Sequence, residues 1–414
     1  MTPQVFAFVA LLALVTVTRL WLLGRQRSAV GRARDRVPAE FADDVPLAAH
    51  QKAADYTRAK IGIGGVETIL EAGVALFITV GGGFALVDGF FRAHGLDGVA
   101  LGLAVIAVIG GASALIGWPF SLYQTFIIEA RFGFNRTSWA LYLADCAKAL
   151  LLALVLGAPL LAVVLWLMRT AGEHWWLYAW CVWFGFNVVL LWAYPAFIAP
   201  WFNRFLPLTD ETLKAKVEAL IARCGFSSRG VFVMDGSRRS SHGNAYFTGF
   251  GRNKRIVLFD TLVSRLAPEE VEAVLAHELG HYRLHHIRQR LIVSALTSLA
   301  ALALLGWLTR EPLFFEAFGV ALPSAHAALV IFSIAAPLCT FWITPIAAVW
   351  SRRHEFAADE FAAAYTPASA LARALVNLYK DNATSLTPDA VYSFFYDSHP
   401  PARIRIARLR EPAP

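Results

Sequence analysis

The sequence predicts a mainly α-helical, polytopic membrane protein with seven transmembrane helices and one cytoplasmic α+β domain that carries a small sheet. The chain of 414 residues is 57% hydrophobic and only 16% charged, which is too apolar for soluble domains of this size. Its apolar residues form long segments, and basic residues accumulate in alternate loops between them. This composition excludes an ordinary soluble enzyme and a disordered protein.

Seven segments are long and apolar enough to cross a bilayer, because a helix rises about 1.5 Å per residue and the hydrocarbon core is about 30 Å thick. They are residues 5–23, 66–88, 98–118, 146–168, 175–197, 291–308 and 327–350. The first segment could be mistaken for a signal peptide. However, basic residues follow it instead of preceding it, and no A-x-A cleavage site is evident. It is interpreted as a retained helix with its N terminus outside.

The distribution of Arg and Lys predicts the topology. Residues 24–65, 119–147, 198–290 and 351–414 hold 32 of them, against 3 in the intervening loops. Positive loops face the cytoplasm, so these four segments are placed there. The net charge of +7 is accordingly attributed to topology and not to nucleic-acid binding. The expected divisions are 1–65 (first helix and basic loop), 66–197 (helices two to five), 198–290 (catalytic domain), 291–350 (helices six and seven) and 351–414 (C-terminal cytoplasmic part).

Residues 198–290 form the largest soluble segment. Apolar residues at helical spacing predict a helix over 210–223, and residues 230–234, 245–250 and 255–259 have the pattern of short strands separated by Gly, Ser and basic turns. Pro268, followed by two glutamates, opens a further helix over 269–283, since acidic residues favour the first turn of a helix.

That last helix contains an HExxH motif, formed by His277, Glu278 and His281. Two imidazoles four residues apart lie on one face of a helix and can bind a zinc ion that keeps a position open for water. The carboxylate between them can take the proton of that water as it attacks a peptide carbonyl. The motif therefore predicts a catalytic zinc site with one ion per chain. The alternative is a pair of solvated histidines.

A zinc peptidase site of this kind needs a third protein ligand. The segment after the last span looks helical and places Glu355 and Asp359 on one face. The chain crosses the membrane twice between His281 and Glu355, so both return to the same side. Glu355 is the expected ligand, and Asp359 is expected to orient a ligating histidine through its free ring nitrogen. The alternative is a solvated charged face paired with the neighbouring arginines.

A peptidase must also hold an extended peptide, and strand addition at an open sheet edge achieves this. The stretch around Asn244 and Ala245 fits an edge strand whose backbone would pair with substrate, or an ordinary hairpin arm.

Near the end of the chain, His399 lies in a Pro-rich loop before a basic helix. A loop histidine and a nearby guanidinium could stabilise the oxyanion at the scissile carbonyl, although His399 also fits a plain surface residue. A supporting or surface role is expected for His285 and His286 rather than direct metal binding.

Together these stretches resemble a known family: HELGHYRLHH, the later EFAAD, SHGNAYFTGF with NKRIVLFDTL, IEARFGFNRTS, YPAFIAPWFNRFLPL and SHPPARIRIARL. They are similar to the type I CAAX prenyl proteases, integral-membrane gluzincin metallopeptidases with a zincin-like catalytic domain. The resemblance spans residues 65–410. It implies that His277, His281 and Glu355 hold zinc, that Glu278 is the general base and that Asp359 supports the site. It further implies that Asn244 and Ala245 bind substrate backbone, and that His399 and Arg405 lie at the active site.

Two substrate classes stay open at this point: the C terminus of a prenylated CaaX protein, or membrane proteins in quality control. The Ala-rich and Arg-rich composition indicates a bacterial homologue in the inner membrane. The partners expected are the lipid bilayer and a peptide or protein substrate, and no nucleic acid. An intramembrane site-two type protease is disfavoured, because charged residues flank the HExxH motif. A non-catalytic zinc-binding receptor or channel is a further alternative, but a structural zinc site usually has four protein ligands.

Overall fold

The computed structural model describes residues 2–226, 230–248 and 255–410. Its helices are α1 Pro3–Ala33, α2 Leu47–Ile78, α3 Gly83–Ala93, α4 Gly98–Glu129, α5 Trp139–Thr170, α6 Gly172–Phe202, α7 Glu211–Arg223, α8 Asp260–Val263, α9 Pro268–Arg283, α10 His286–Leu308, α11 Pro312–Glu316, α12 Ala325–Tyr365, α13 Ala368–Asp381, α14 Ala390–Tyr396 and α15 Ala402–Arg410. Its strands are β1 Phe205–Pro207, β2 Val231–Met234, β3 Ala245–Thr248 and β4 Arg255–Phe259.

Seven helices in the described part of the chain are long and apolar enough to cross a membrane, namely α1, α2, α4, α5, α6, α10 and α12. This confirms the predicted number of spans. Several helices extend beyond the predicted segments, because hydropathy detects only the part of a helix that suits hydrocarbon. The polar segments that continue α1 and begin α2 are helical and pack against each other, where the sequence indicated a loop.

The second span differs most from its prediction of residues 66–88. Its helix ends at Ile78 and the chain turns through Gly82, which has a φ of 81°. A side chain at Gly81 would collide with the backbone of Phe77, since a Cβ there would lie 2.8 Å from the Phe77 Cα atom. The glycines therefore break one apolar stretch into two helices, α2 and α3.

The seventh span and the expected third-ligand segment are one continuous helix, α12, of 41 residues. Pro337 and a 3₁₀ turn at Phe341–Ile343 interrupt its regular geometry without ending it. Helix α12 thus runs from the apolar region directly into the soluble domain. A rigid helix therefore carries the acidic residues at its far end.

The soluble domain is built on a four-stranded sheet with the strand order β1-β2-β4-β3. Strands β2 and β4 are parallel, and the two outer strands pair antiparallel to their neighbours. The three predicted strands are confirmed, and β3 lies at the sheet edge. The last two residues of the predicted 245–250 strand lie outside the described residues. Strand β1 was not predicted, because three residues that end in proline after a membrane helix give no alternating pattern.

The sheet, α9 and α13 share one buried core, and α9 crosses α12 at very short range. A Cβ at Gly280 would lie only 3.1 Å from the Ala358 Cα atom. Glycine at this position lets the two helices approach closely. The crossing brings the HExxH face of α9 against the acidic end of α12.

Candidate metal centre

Three side chains from α9 and α12 converge at this crossing. His277 Nε2 lies 3.2 Å from His281 Nε2 and 3.4 Å from Glu355 Oε2, and His281 Nε2 lies 3.2 Å from Glu355 Oε1. His277 and Glu355 are buried, with 7% and 2% exposure. One ligand atom from each of the three residues falls within 4.8 Å of the others. The structure therefore brings together the three residues that the sequence predicted as ligands.

The residues fit a divalent metal ion. Glu355 Oε2 is buried and has no hydrogen-bond partner within the described ranges. A buried carboxylate oxygen without a donor is costly, and a cation between the two imidazoles and this carboxylate would compensate it. Two imidazoles and one carboxylate also form the donor set of a catalytic site that leaves one position open.

Asp359 and Arg405 support His277 from behind. The Asp359 Oδ1 atom lies 2.8 Å from His277 Nδ1. Arg405 donates from Nε and Nη2 to the two oxygens of Asp359, at 2.8 and 2.6 Å. Burial alone would lower the pKa of Arg405, but the hydrogen bonds and charge of Asp359 raise it above its ordinary value. Arg405 therefore stays charged and holds the carboxylate that orients the His277 ring.

The ring of His281 is supported by a different partner. Its Nδ1 atom lies 2.9 Å from Nδ1 of His286, which is buried at the start of α10. The His286 ring stacks on His354, with centroids 3.9 Å apart and planes at 7°. His286 can reach back to His281 because the exposed His285 adopts a φ of 62° between the two helices. The sequence alone left a supporting role and a surface position open for His286, and the structure places it in the supporting role.

We expect His286→Ala to weaken metal binding by roughly 10- to 100-fold, since the hydrogen bond that orients His281 is lost. The dissociation constant would be measured by competition with a chromophoric chelator. His285→Asn is the matched control, because His285 is exposed and asparagine tolerates a positive φ. Equal metal affinity in His286→Ala and the wild type would show that His286 only packs.

Glu278 faces the open side of the site. With Asn244 and Ala245 it lines a cavity of about 370 Å³ that also contains His277 and Arg405. Burial raises the pKa of Glu278 above its ordinary value, while the nearby imidazoles lower it. A carboxylate with a raised pKa is suited to accept a proton and release it again.

In the edge strand β3, the backbone at Asn244 points in a different direction from the one expected. The Asn244 carbonyl accepts the Phe259 N–H inside the sheet, at 3.0 Å. That carbonyl is therefore not free to pair with a substrate, which corrects the expectation for the Asn244 backbone. Its exposed side chain lies at the open edge instead, where Oδ1 accepts the Ala245 N–H at 2.8 Å. The Ala245 backbone faces the open side, because successive residues of an antiparallel strand alternate between its two edges.

His399 lies at the mouth of the site and Arg405 lies inside it. The His399 Nε2 atom is 3.5 Å from Glu355 Oε2, and the side chain is 62% exposed. Arg405 is only 4% exposed and is bound to Asp359. Both residues nevertheless line the cavity that holds Glu278. Their joint action on an oxyanion stays a prediction, and His399 is the more exposed of the two.

Helix α13 contributes cavity residues that the sequence did not reveal. Tyr379 of α13, with Asn382 and Thr384 just beyond the helix, lines the same cavity as Glu278. They lie in an amphipathic segment without a recognisable motif. Only the packing of α13 on α9 brings them to the site.

Comparisons with known proteins agree with this geometry. Residues 26–204 match the family described as CAAX prenyl protease N-terminal, five membrane helices, and residues 207–413 match peptidase family M48. The chain is 36% identical over 310 residues to CAAX prenyl protease 1 homolog of Oryza sativa, covering 75% of this chain and 73% of the relative. It is 35% identical over 334 residues to CAAX prenyl protease 1 of Saccharomyces cerevisiae, covering 77% and 74%. It is also 35% identical over 341 residues to the Homo sapiens homolog, covering 72% and 71%.

The crystal structure of S. mikatae Ste24p superposes with a TM-score of 0.91 at 29% identity, covering 99% of this chain and 100% of that one. Fold, site and relatives together define an integral-membrane metallopeptidase, an enzyme that uses a metal to hydrolyse peptide bonds. The chain belongs to the CAAX prenyl protease 1 family, within peptidase family M48. This membership does not favour the alternative of a non-catalytic receptor or channel.

Proposed function

We propose that the protein is a zinc endopeptidase that hydrolyses peptide bonds next to the membrane surface. The observation that carries the proposal is the convergence of His277, His281 and Glu355 beside Glu278, in a cavity that an open strand edge borders. His277, His281 and Glu355 would hold one zinc ion, since two imidazoles and a carboxylate with an open position suit it. When bound, zinc supplies a Lewis acid that polarises the scissile carbonyl and makes water acidic.

The residues around the ligands would perform the remaining steps. Ala245 and the side chain of Asn244 would hold the peptide backbone against the site. Glu278 would accept the proton of the attacking water and transfer it to the leaving amine. His399 would donate a hydrogen bond to the oxygen that becomes negative. Arg405 and Asp359 would act indirectly, by keeping His277 in position.

The relatives and the neighbourhood of the site support a proposal for the substrate class. A second cavity of about 840 Å³ adjoins the catalytic one and is lined by residues of α1, α2 and α14. A peptide whose end is held close to the bilayer could enter there. We therefore propose C-terminal CaaX-type prenylated peptides as the leading substrate. Membrane proteins degraded in quality control are the second candidate, since the same cavity would admit an unmodified chain.

The proposed location is the inner membrane of a bacterium, with the catalytic domain in the cytoplasm. The support for this orientation is the concentration of Arg and Lys on the side of the soluble domain. A cysteine introduced at the exposed position Ser369 in α13 would test it. Labelling of intact cells by a membrane-impermeant thiol reagent at that position would contradict a cytoplasmic catalytic domain.

Mass-spectrometric mapping of cleavage products decides between the substrate classes. Purified protein would be incubated with a farnesylated CaaX peptide and with its unprenylated counterpart. Cleavage of the farnesylated peptide alone would identify prenyl-protein processing, and cleavage of both would show that the lipid is dispensable. If the protein holds zinc and cleaves neither peptide, the CaaX substrate is wrong, and misfolded membrane proteins become the substrates to test.

A further inference from the structure

One end of the open edge of β3 is already occupied. Because Asn244 directs its carbonyl toward β4, the residues on either side of it, Gly243 and Ala245, direct their backbone groups toward the open side. Asn382, just after α13, lies against Gly243. Its Oδ1 atom accepts the Gly243 N–H at 3.1 Å, and its Nδ2 atom donates to the Gly243 carbonyl at 3.4 Å. A side-chain amide has the same donor and acceptor as a peptide group, so Asn382 takes the place of a strand partner.

Other contacts fix the Asn382 amide in this position. His242 Nδ1 lies 3.2 Å from Asn382 Oδ1. The His242 ring stacks on Phe134, with centroids 4.4 Å apart, and its Nε2 atom lies 3.4 Å from Glu129 Oε2. After Asn382 the chain turns sharply at the buried Ala383, which has a φ of 47°. Asn382 is thus held from two directions, by its own helix end and by His242.

The neighbouring position on the edge is open by contrast. Within the residues that the structure describes, the Ala245 N–H is bonded only to the exposed side chain of the preceding Asn244, and that side chain can rotate away when a peptide arrives. The closed position at Gly243 and the available one at Ala245 therefore lie two residues apart on one edge.

We propose that Asn382 ends the substrate-pairing edge of β3 and thereby fixes the register in which a peptide lies across the site. The inference rests on the proposed function, since it concerns the peptide that Glu278 attacks. A bound peptide pairs its backbone with Ala245, cannot continue along Gly243, and leaves the edge. Asn382 and His242 also line the larger cavity of about 840 Å³, so the peptide enters that cavity, where its side chains rather than its backbone are recognised. Cleavage is then confined to one bond.

Variants of Asn382 test the proposal through the product pattern. Asn382→Leu removes both hydrogen-bonding atoms at similar size and frees Gly243. Cleavage at bonds adjacent to the main site should then increase roughly tenfold, the effect of about one hydrogen bond. Asn382→Asp keeps the oxygen that Gly243 and His242 contact and should retain the wild-type pattern. Asn377→Leu, in the preceding helix α13 but bonded to Glu270, is the matched control. An unchanged product pattern in a fully active Asn382→Leu would overturn the proposal.

A second experiment uses the wild-type protein, so it tests the proposal whether or not Asn382→Leu folds. Peptides would carry a single N-methyl group on one backbone amide. Methylation of the residue that pairs with Ala245 should raise KM roughly tenfold, because it removes one backbone hydrogen bond. Methylation two residues further, toward Gly243, should leave KM unchanged. Equal increases at both positions would overturn the proposal.

These outcomes are separable from failure of the proposed function. If the wild-type protein with zinc cleaves no peptide, the peptidase assignment fails before register is measured. If it cleaves peptides with the same KM for every methylated position, the peptidase assignment stands and the role of Asn382 is wrong.

Discussion

Replacing Glu278 by Gln should abolish peptide hydrolysis while metal content stays at the wild-type level. The amide keeps the size of the side chain but cannot accept the proton of the attacking water. The expected loss in kcat is on the order of 10²- to 10⁴-fold, the contribution of general base catalysis. Turnover of a peptide substrate and metal content by elemental mass spectrometry would be measured on the same preparation.

Glu269→Gln is the matched control, because Glu269 lies on the same helix, is 53% exposed and pairs with Lys216 away from the site. It should leave turnover unchanged. Wild-type activity in Glu278→Gln would eliminate Glu278 as the base. Loss of metal in that variant would instead assign Glu278 to metal binding.

Replacing Arg405 by Ala should strongly destabilise the soluble domain. Arg405 and Asp359 are 4% and 5% exposed, and removing one member of a buried ion pair leaves an uncompensated charge. Such a change costs about 3–5 kcal/mol of unfolding free energy. Thermal unfolding in detergent should therefore show a clear decrease in Tm. Arg403→Ala, on the same helix but with a 67% exposed side chain, should change stability by no more than about 0.5 kcal/mol.

A double variant separates stability from function at this pair. Arg405→Leu combined with Asp359→Leu removes both charges and should regain part of the lost stability, since Asp359 is then no longer a buried charge without its partner. His277 still lacks its hydrogen-bond partner, so metal affinity should remain roughly 10- to 100-fold below the wild type. Full metal affinity in the double variant would show that Asp359 does not orient His277.

The ion pair between Asp359 and Arg405 gives Arg405 a different contact from the one that the sequence suggested. The sequence suggested that a guanidinium near His399 could contact the oxyanion, and the family resemblance placed Arg405 at the active site. Its guanidinium instead binds both carboxylate oxygens of Asp359. Sequence spacing places both residues near the site but does not indicate which neighbour each of them contacts.

The edge strand shows a similar limit. The stretch around Asn244 and Ala245 was consistent with an edge strand or with an ordinary hairpin arm, and the structure has an edge strand there, β3. The direction of each peptide group in β3 could not be predicted from this stretch, because it depends on the register with β4. That register turns the Asn244 carbonyl inward and leaves Ala245 at the open edge. The amide that covers Gly243 comes from Asn382, far along the chain and in a segment without a motif.

The sequence by itself determined the membrane class, the seven spans and the residues that meet at the metal centre. These properties follow from local patterns: length and apolarity decide what crosses a bilayer, and helical spacing places His277 and His281 on one face. Only the tertiary structure decided how the site is supported and bordered. The bond of His281 to His286, the burial of Arg405 on Asp359 and the closure of the β3 edge by Asn382 are contacts between distant segments. They depend on the close crossing of α9 and α12 and on the packing of α13, and no local sequence pattern records such long-range packing.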